Sequence, residues 1–489
     1  MLNNENDVVL ESDLLVGREK YQKERISHWN NVAGSKQSSI FSSHYHRRLN
    51  KVYSFIIPQG CRVMEIGCGN GDLLASLKPS YGVGLDFSPK MIDLAKSNHP
   101  ELVLHCVDIC EISSILGNEK FDFIILSDLL NDLWDVQAGL QEISRHCHSS
   151  TRIVINFYSR LWQVPLIVAQ ELGLAKPMLM QNWLTREDVI NVFRLSDLET
   201  IKIWEEVLFP IPIPVIDQFF NQLLSRIWPF NLLTLANFII ARPAPVKEDK
   251  KYSVSVIVPA RNEPGNIENM FKRTPEMGTG TELIFVEGNS KDKTYQTIEE
   301  MINKYPVRDA CLLKQDGIGK GDAVRKGFAK AKGEILMILD ADLTVPPEDL
   351  PLFYDAIATN KGEFINGVRL VYPMEKEAMR FLNFFFNKIF SLLFSWLLGQ
   401  FIKDTLCGTK TLWKKDYDLI VANRAYFGDF DPFGDFDLLF GAARLGLKII
   451  DMPIRYRERT YGTTNIQRWK HGWLLMKMVT FAAGRIKFV

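Results

Sequence analysis

Val63-Met64-Glu65-Ile66-Gly67-Cys68-Gly69-Asn70-Gly71-Asp72-Leu73-Leu74-Ala75 is an apolar run that breaks into three alternating glycines and resumes as a helical pattern. This order predicts a buried strand, a tight turn and a helix, with glycines that reach positive φ and let the backbone approach a ligand. The spacing is Glu-x-Gly-x-Gly-x-Gly. It departs from the Gly-x-Gly-x-x-Gly of dinucleotide sites because Asp72 stands where the third glycine would fall. The next strand, Gly82-Val83-Gly84-Leu85-Asp86, ends on an acid placed to bridge two ribose hydroxyls by charge-assisted hydrogen bonds. Cys106-Val107-Asp108-Ile109 brings a third strand tip and an acid suited to an adenine amino group. The pattern predicts a nucleoside site.

Beyond it, short β-branched runs keep alternating with helical stretches. Phe121–Asp128 and Arg152–Phe157 complete the first set; Ser253–Ala260, Glu282–Gly288, Ile335–Asp342 and Phe364–Arg369 make a second. Continuous apolar runs of this kind suit parallel strands buried on both faces, so two α/β layered folds are expected. Between the sets, Pro243–Tyr252 (PAPVKEDKKY) combines two prolines with a charge run and reads as a linker. The expected domains are therefore 1–242, with a core over about 40–160, and 253–489. Length agrees, since 489 residues exceed one ordinary core.

Composition narrows the class. Lys+Arg and Asp+Glu are equal at 58 each, so no nucleic-acid partner is expected. Seven scattered cysteines form no Cys-x-x-Cys pair, which argues against a zinc site and fits a reducing compartment. The acidic amino-terminal stretch lacks the order of a signal peptide, and a cytoplasmic chain is expected.

In the second set every strand tip carries polar groups at the carboxyl end, where open α/β sheets bind ligands. Pro259, Asn262 and Glu263 end one strand; Glu287, with Asp292 beyond it, ends another. Gly319-Lys320-Gly321-Asp322-Ala323-Val324-Arg325 places flexible glycines and cations where a diphosphate could sit. Asp340-Ala341-Asp342 supplies two carboxylates that can jointly hold Mg²⁺ or Mn²⁺ against phosphate oxygens.

The first pattern resembles the class I S-adenosylmethionine-dependent methyltransferases over roughly residues 40–160. That resemblance implies a seven-stranded doubly wound, Rossmann-like sheet with S-adenosylmethionine as methyl donor. It would have Glu65, Gly67, Gly69 and Gly71 shape the methionine pocket, Asp86 hold the ribose, Asp108 face the adenine, and Ser127 and Asp128 lie near the transferred methyl. His44, Tyr45, His46, Tyr21 and Trp29 read either as a lid or base over this pocket or as part of an amino-terminal helical cap. The ordered tips of the second half resemble family 2 glycosyltransferases of GT-A fold. The blocks Asp404–Lys410, Gly434–Asp437 and Met452–Thr464 look most like dolichol- and polyprenol-phosphate mannosyl- and glucosyltransferases. This resemblance implies a nucleotide-sugar donor and a polyprenyl-phosphate acceptor. Pro259, Asn262, Glu263 and Glu287 would line the base and ribose pocket, Asp340 and Asp342 the metal and diphosphate site. Arg459, Thr464 and Lys410 would contact phosphate. The family usually has a second acid where Gly288 stands. A hydroxyl acceptor would instead require a base, for which Asp437 is the candidate.

Phe381–Ile402 is long enough to span a bilayer, yet Asn383, Asn387, Ser391 and Ser395 recur every four positions and Lys388 interrupts the middle. The pattern predicts a helix lying in the membrane interface, on the inner face of a membrane, with a buried core helix as the alternative. Cations mingled with Trp469 and Trp473 suit anionic headgroups. Residues 201–241, rich in proline and large apolar side chains, fit a substrate lid, a membrane contact or domain packing alike.

Overall fold

The computed structural model describes residues 4–34, 40–171, 179–246, 249–369, 371, 381–424, 434–457 and 468–488. The chain falls into two compact units, Met1–Ala244 and Pro245–Val489. Pro243, expected in the linker, is instead the last residue of a strand, paired with Leu198. A proline is tolerated there because a strand's end leaves its missing N–H unneeded.

In the first unit the helices α1 (Asn4–Gly34) and α2 (Ile40–Ile56) precede the sheet. Its strands are β1 (Arg62–Ile66), β2 (Tyr81–Asp86), β3 (Val103–Cys106), β4 (Phe121–Ser127), β5 (Cys147–Tyr158), β6 (Leu198–Glu206) and β7 (Ala236–Pro243). They lie in the order β3-β2-β1-β4-β5-β7-β6, parallel except for the antiparallel β5–β7 and β6–β7 pairs. The strand order reverses beside β1, and that is where the glycine turn leaves the sheet. Val63, Met64 and Ile66 of β1 are buried because layers of side chains cover both sheet faces.

Of residues 201–241, both ends are strand, and 207–235 is an excursion between β6 and β7. Its polar groups face inward. Glu206, 1% exposed, is paired with Arg48 and with Arg226, while Asn221 and Ser225 are buried beside it. Several of its apolar side chains face outward: Val215, Phe219, Trp228 and Leu233 are all at least half exposed.

The second unit places β8 (Val254–Ala260), β9 (Thr281–Glu287), β10 (Ala310–Lys314), β11 (Ile335–Ile338), β12 (Phe364–Val368), β13 (Lys410–Trp413) and β14 (Ile449–Pro453) in the order β10-β9-β8-β11-β13-β12-β14. β13 runs antiparallel to both its neighbours. The four-residue run Ile335–Ile338 is wholly buried, as a central strand requires.

The helix Phe381–Leu398 buries one face in its own unit and leaves another open, with Leu392 among its exposed side chains. Phe390, Phe394, Leu397 and Leu398 are buried in the core of the second unit. The polar stripe faces the turn that follows it: Ser391 Oγ donates to the Ile402 carbonyl (2.5 Å), and Ser395 Oγ accepts from the Ile402 N–H (2.9 Å). Asn387 Nδ2 donates to Asp404 Oδ1 at 3.0 Å. Fourfold spacing puts these groups on one face but does not say what that face meets. Here it meets backbone that would otherwise be buried without partners. Among the described residues no helix is long and apolar enough to cross a membrane.

Candidate active sites

The first unit holds a cavity of about 390 Å³ lined by Ile66, Gly67, Leu85, Asp86, Val107 and Asp108 on the sheet side. Gly67, Gly69 and Gly71 have φ of +71°, +52° and +80°, which a side-chain-bearing residue adopts only under strain. The turn folds onto Asp86: the Gly69 and Ser88 N–H groups donate to its carboxylate at 3.0 and 2.8 Å. Burial raises the Asp86 pKa, and these N–H groups oppose that rise. Glu65 is 2% exposed, and its Oε2 accepts no hydrogen bond. Burial pushes its carboxyl up to about 8. The Leu74 backbone N–H opposes that rise, and a buried acid with one oxygen unbonded beside a glycine turn fits a cationic ligand group such as the ammonium of S-adenosylmethionine.

α1 forms the other wall. Arg18, Tyr21, Gln22 and Arg25 line the cavity. Gln22 Nε2 donates to Asp108 Oδ2 (3.0 Å) and Arg18 lies 3.7 Å from Asp108 Oδ1. Asp108, expected to face adenine, therefore stands in the cavity wall already engaged by α1. Arg25 and Trp29 both bond Asp132. Tyr21 lines the cavity from this amino-terminal helix, whereas Trp29, farther along it, is outside the lining and bonds Asp132. Sequence inspection did not single out Gln22, Arg25 or Asp132.

At the tip of β4, Asp128 has φ +53° and accepts from Tyr45 Oη (2.9 Å) and Asn156 Nδ2 (2.6 Å). Burial pushes its carboxyl up to about 7 against those two donors. Neighbouring Ser127 closes the strand opposite Asn156. The preceding residue on α2, His44, bonds Asp217 of the 207–235 excursion at 3.1 Å.

In the second unit, register brings the tips to one rim. Ile338 pairs with Ile257, and Ala260 with Glu287, so Asp340, Pro259 and Glu287 emerge side by side. Asn262, φ +58°, ties two tips together: its N–H donates to Ser290 Oγ (3.0 Å) and its Oδ1 accepts from the Lys291 N–H (2.9 Å). Glu287 accepts from the Ser290 N–H, and buried Glu263 from Asn266. A Cβ added at Gly288 would lie 3.0 Å from Gln315 Oε1, so Gln315 occupies the space beside the position of the missing acid.

The charged centre is the pair Lys320–Asp340, with Nζ 2.6 Å from Oδ1. Burial acts to raise the Asp340 pKa, and Lys320 overrides it to hold the carboxylate ionised. Burial likewise acts to lower the Lys320 pKa, and Asp340 and Asp435 hold it above the usual lysine value. Two helix starts converge here. A Cβ on Gly321 would lie 2.8 Å from the Gly434 nitrogen, so the amino ends of Lys320–Lys330 and Asp435–Arg444 are in contact. Such ends carry unpaired N–H groups and favour anions. Asp342 Oδ1 accepts from Thr344 N and Oγ1. Two carboxylates at one strand tip fit a divalent ion that completes its shell with phosphate and water. Among the described residues no three His, Cys, Asp or Glu side chains cluster as a metal cage.

Several expected contacts are placed elsewhere. Lys410 is fully buried, its Nζ bonded to the Cys407 carbonyl (2.5 Å) and 3.5 Å from Asp435 Oδ1, so it cannot reach a ligand phosphate. Asp437, the candidate base, faces Arg424 at 3.3 Å; Asp435 is the acid turned toward the lysines, and its Oδ1 accepts no hydrogen bond. Asp322 pins the Gly317 N–H (2.9 Å) and Asp292 the Thr294 N–H (3.0 Å), so each shapes a turn. Arg325 packs behind Gly321 with Nη1 buried and unbonded. Arg459 and Thr464 lie outside the described residues.

The two units are a doubly wound, Rossmann-like sheet and a GT-A sheet, each with polar strand tips at one rim. Residues 57–202 match the family described as "Methyltransferase domain", and residues 255–418 match "Glycosyl transferase family 2". The chain thus carries a methyltransferase domain in its first unit and a family 2 glycosyltransferase domain in its second. It is 29% identical over 220 residues to a dolichol-phosphate mannosyltransferase of Pyrococcus furiosus, covering 44% of this chain and 59% of that protein. It is 39% identical over 109 residues to that of Saccharomyces cerevisiae, covering 21% and 40%. It therefore spans about half the length of these relatives. A solved glucosyl-3-phosphoglycerate synthase from Mycobacterium tuberculosis covers 48% of this chain and 80% of its own, at 20% identity and a TM-score of 0.35.

Proposed function

We propose that the second unit transfers a sugar, with inversion, from a nucleotide-sugar to a polyprenyl phosphate, and that the first unit transfers a methyl group from S-adenosylmethionine to a substrate not yet identified. The observation that carries the first half is the Lys320–Asp340 pair beneath two converging helix starts, at the rim shared by Asn262 and Glu287. The helix starts and Lys320 receive the diphosphate, and the paired tips of β8 and β9 receive the nucleoside. Asp340 and Asp342 would hold a divalent ion, which supplies charge neutralisation of the leaving diphosphate. An acceptor phosphate is already ionised near neutral pH, its second pKa being about 6, so the protein has only to position it. Asp437, spent on Arg424, favours this acceptor over a hydroxyl that needs a base.

A peripheral position on the cytoplasmic face of a membrane follows from the same reading. Ile389, Leu392, Trp473 and Met476 are exposed on the adjoining helices Phe381–Leu398 and Arg468–Ala482, with Lys477 over the Trp473 ring. Apolar side chains next to cations suit an anionic bilayer surface.

In the first unit, Glu65, the glycine turn and Asp86 take the methionine and ribose parts of the cofactor, and Asp128 with Tyr45 stands toward the methyl acceptor. The test for the second unit is incubation with radiolabelled nucleotide-sugars, Mg²⁺ or Mn²⁺ and polyprenyl phosphate, then extraction into organic solvent. Label that stays in water for every donor refutes the lipid acceptor.

A further inference from the structure

Lys320 and Asp340 serve two different ligands in the proposed transfer, yet in this structure they are bonded to each other. Each keeps about a quarter of its side chain open (26% and 25%), so the pair faces the cleft. Behind it the backbone of Gly408 presses close: a Cβ there would lie 2.0 Å from Lys320 Nζ and 2.2 Å from Asp340 Oδ2. A second cation therefore reaches Asp340 from the open side, in competition with the lysine. The neighbouring cation Lys410 cannot exchange places, being fully buried and tied to the Cys407 carbonyl. Lys320 can move. It is the first residue of its helix and carries its charge on a four-carbon stem with freely turning donors.

We propose that Lys320 is a displaceable internal counter-ion: in the donor-free protein it holds the carboxylate that a divalent ion needs, and the donor's diphosphate draws it away. This rests on the reading of the second unit as a metal-using glycosyltransferase and adds an order to it. The diphosphate, rich in negative charge and received by two helix starts, takes the ammonium from Asp340. The vacated carboxylate then binds the metal. Because the two events share one group, diphosphate and metal strengthen each other's binding by the same factor. Free metal alone binds weakly, which keeps the site from holding an ion when no donor is present.

The test is Mn²⁺ titrated into the full-length chain without nucleotide, followed by loss of the free-ion electron paramagnetic resonance signal. Lys320→Met removes the ammonium and keeps most of the stem; Lys320→Arg keeps a cation. Lys320→Met is expected to bind Mn²⁺ about tenfold more tightly than wild type, within the roughly 5- to 150-fold range of such couplings. Lys320→Arg should stay as weak as wild type, and adding Asp340→Asn to Lys320→Met should erase the gain. Unchanged or weaker Mn²⁺ binding by a folded Lys320→Met protein overturns the proposal; if the methionine variant misfolds, Lys320→Gln takes its place with the same expected gain. A sugar-transfer assay on wild type separates the two failures. No transfer with any metal refutes the glycosyltransferase reading, whereas transfer alongside an unmoved Mn²⁺ affinity refutes the counter-ion alone.

Discussion

Replacing Gly408 by alanine probes the donor cleft without touching a charge. The new methyl would sit 2.0 Å from Lys320 Nζ and 2.2 Å from Asp340 Oδ2, both well inside contact distance, so lysine and carboxylate must part. Parting from the observed 2.6 Å to about 4 Å, at an effective dielectric of about 20, weakens the attraction from about 6 to about 4 kcal/mol. The loss of about 2 kcal/mol equals roughly thirtyfold in an equilibrium or rate. Crowding adds about 1–3 kcal/mol of strain to the fold, which lowers the melting temperature of a domain this size by a few degrees. The assay is Mn²⁺ binding without nucleotide, with thermal melting measured on the same preparation. Because the pair must part before a metal reaches Asp340, the expected result is Mn²⁺ binding about tenfold tighter than wild type, from a protein that still melts cooperatively. Wild-type affinity would show that the pair's attraction does not hold the metal off, and the reasoning about this site would fail.

Asp86→Ala should abolish S-adenosylmethionine binding by calorimetry and cost about 1–3 kcal/mol of stability, because two N–H groups lose their acceptor. Glu65 tests the sign of a pH effect. Its folded pKa of about 8 lies above the unfolded value, so its fold-stabilising contribution is present below about pH 4 and falls away as pH rises toward 8. Glu65→Gln should therefore raise the melting temperature at pH 8 more than at pH 5 while weakening the cofactor; equal shifts at both would refute it. Asp404 behaves oppositely. Burial acts to raise its pKa, but Arg369 overrides this and holds the carboxyl at about 2, so its contribution is lost as pH falls from about 4 to 2. Asp404→Asn leaves Arg369 buried and unpaired and should cost about 3–5 kcal/mol by denaturant unfolding.

The strand tips could be read in advance because parallel strands place their carboxyl ends at one rim, so Asp86, Glu287 and Asp340 needed only to terminate apolar runs. Side-chain direction on helices was less accessible. Asp435 and Asp437 are two positions apart, hence about 200° apart around a helix, and only one can face the cleft. Nothing in Gly434–Asp437 says which. Likewise the stripe Asn387, Ser391, Ser395 fixes a face but not its neighbour, and a face that bonds buried backbone reads like one that meets headgroups. The cover of α1 over the cofactor cavity depends on contacts such as Gln22–Asp108, 86 residues apart, which local pattern does not encode.

The stripe on Phe381–Leu398 has a mechanical meaning. Through Ile402 and Asp404 it bolts down the segment that leads into Gly408, one bank of the donor cleft. The opposite bank, where Gly319 and Lys320 open a helix, is fastened separately, with Gln315 Nε2 donating to the Gly319 carbonyl. A helix distant in sequence from the strand-tip carboxylates thus sets the position of the wall they lean on.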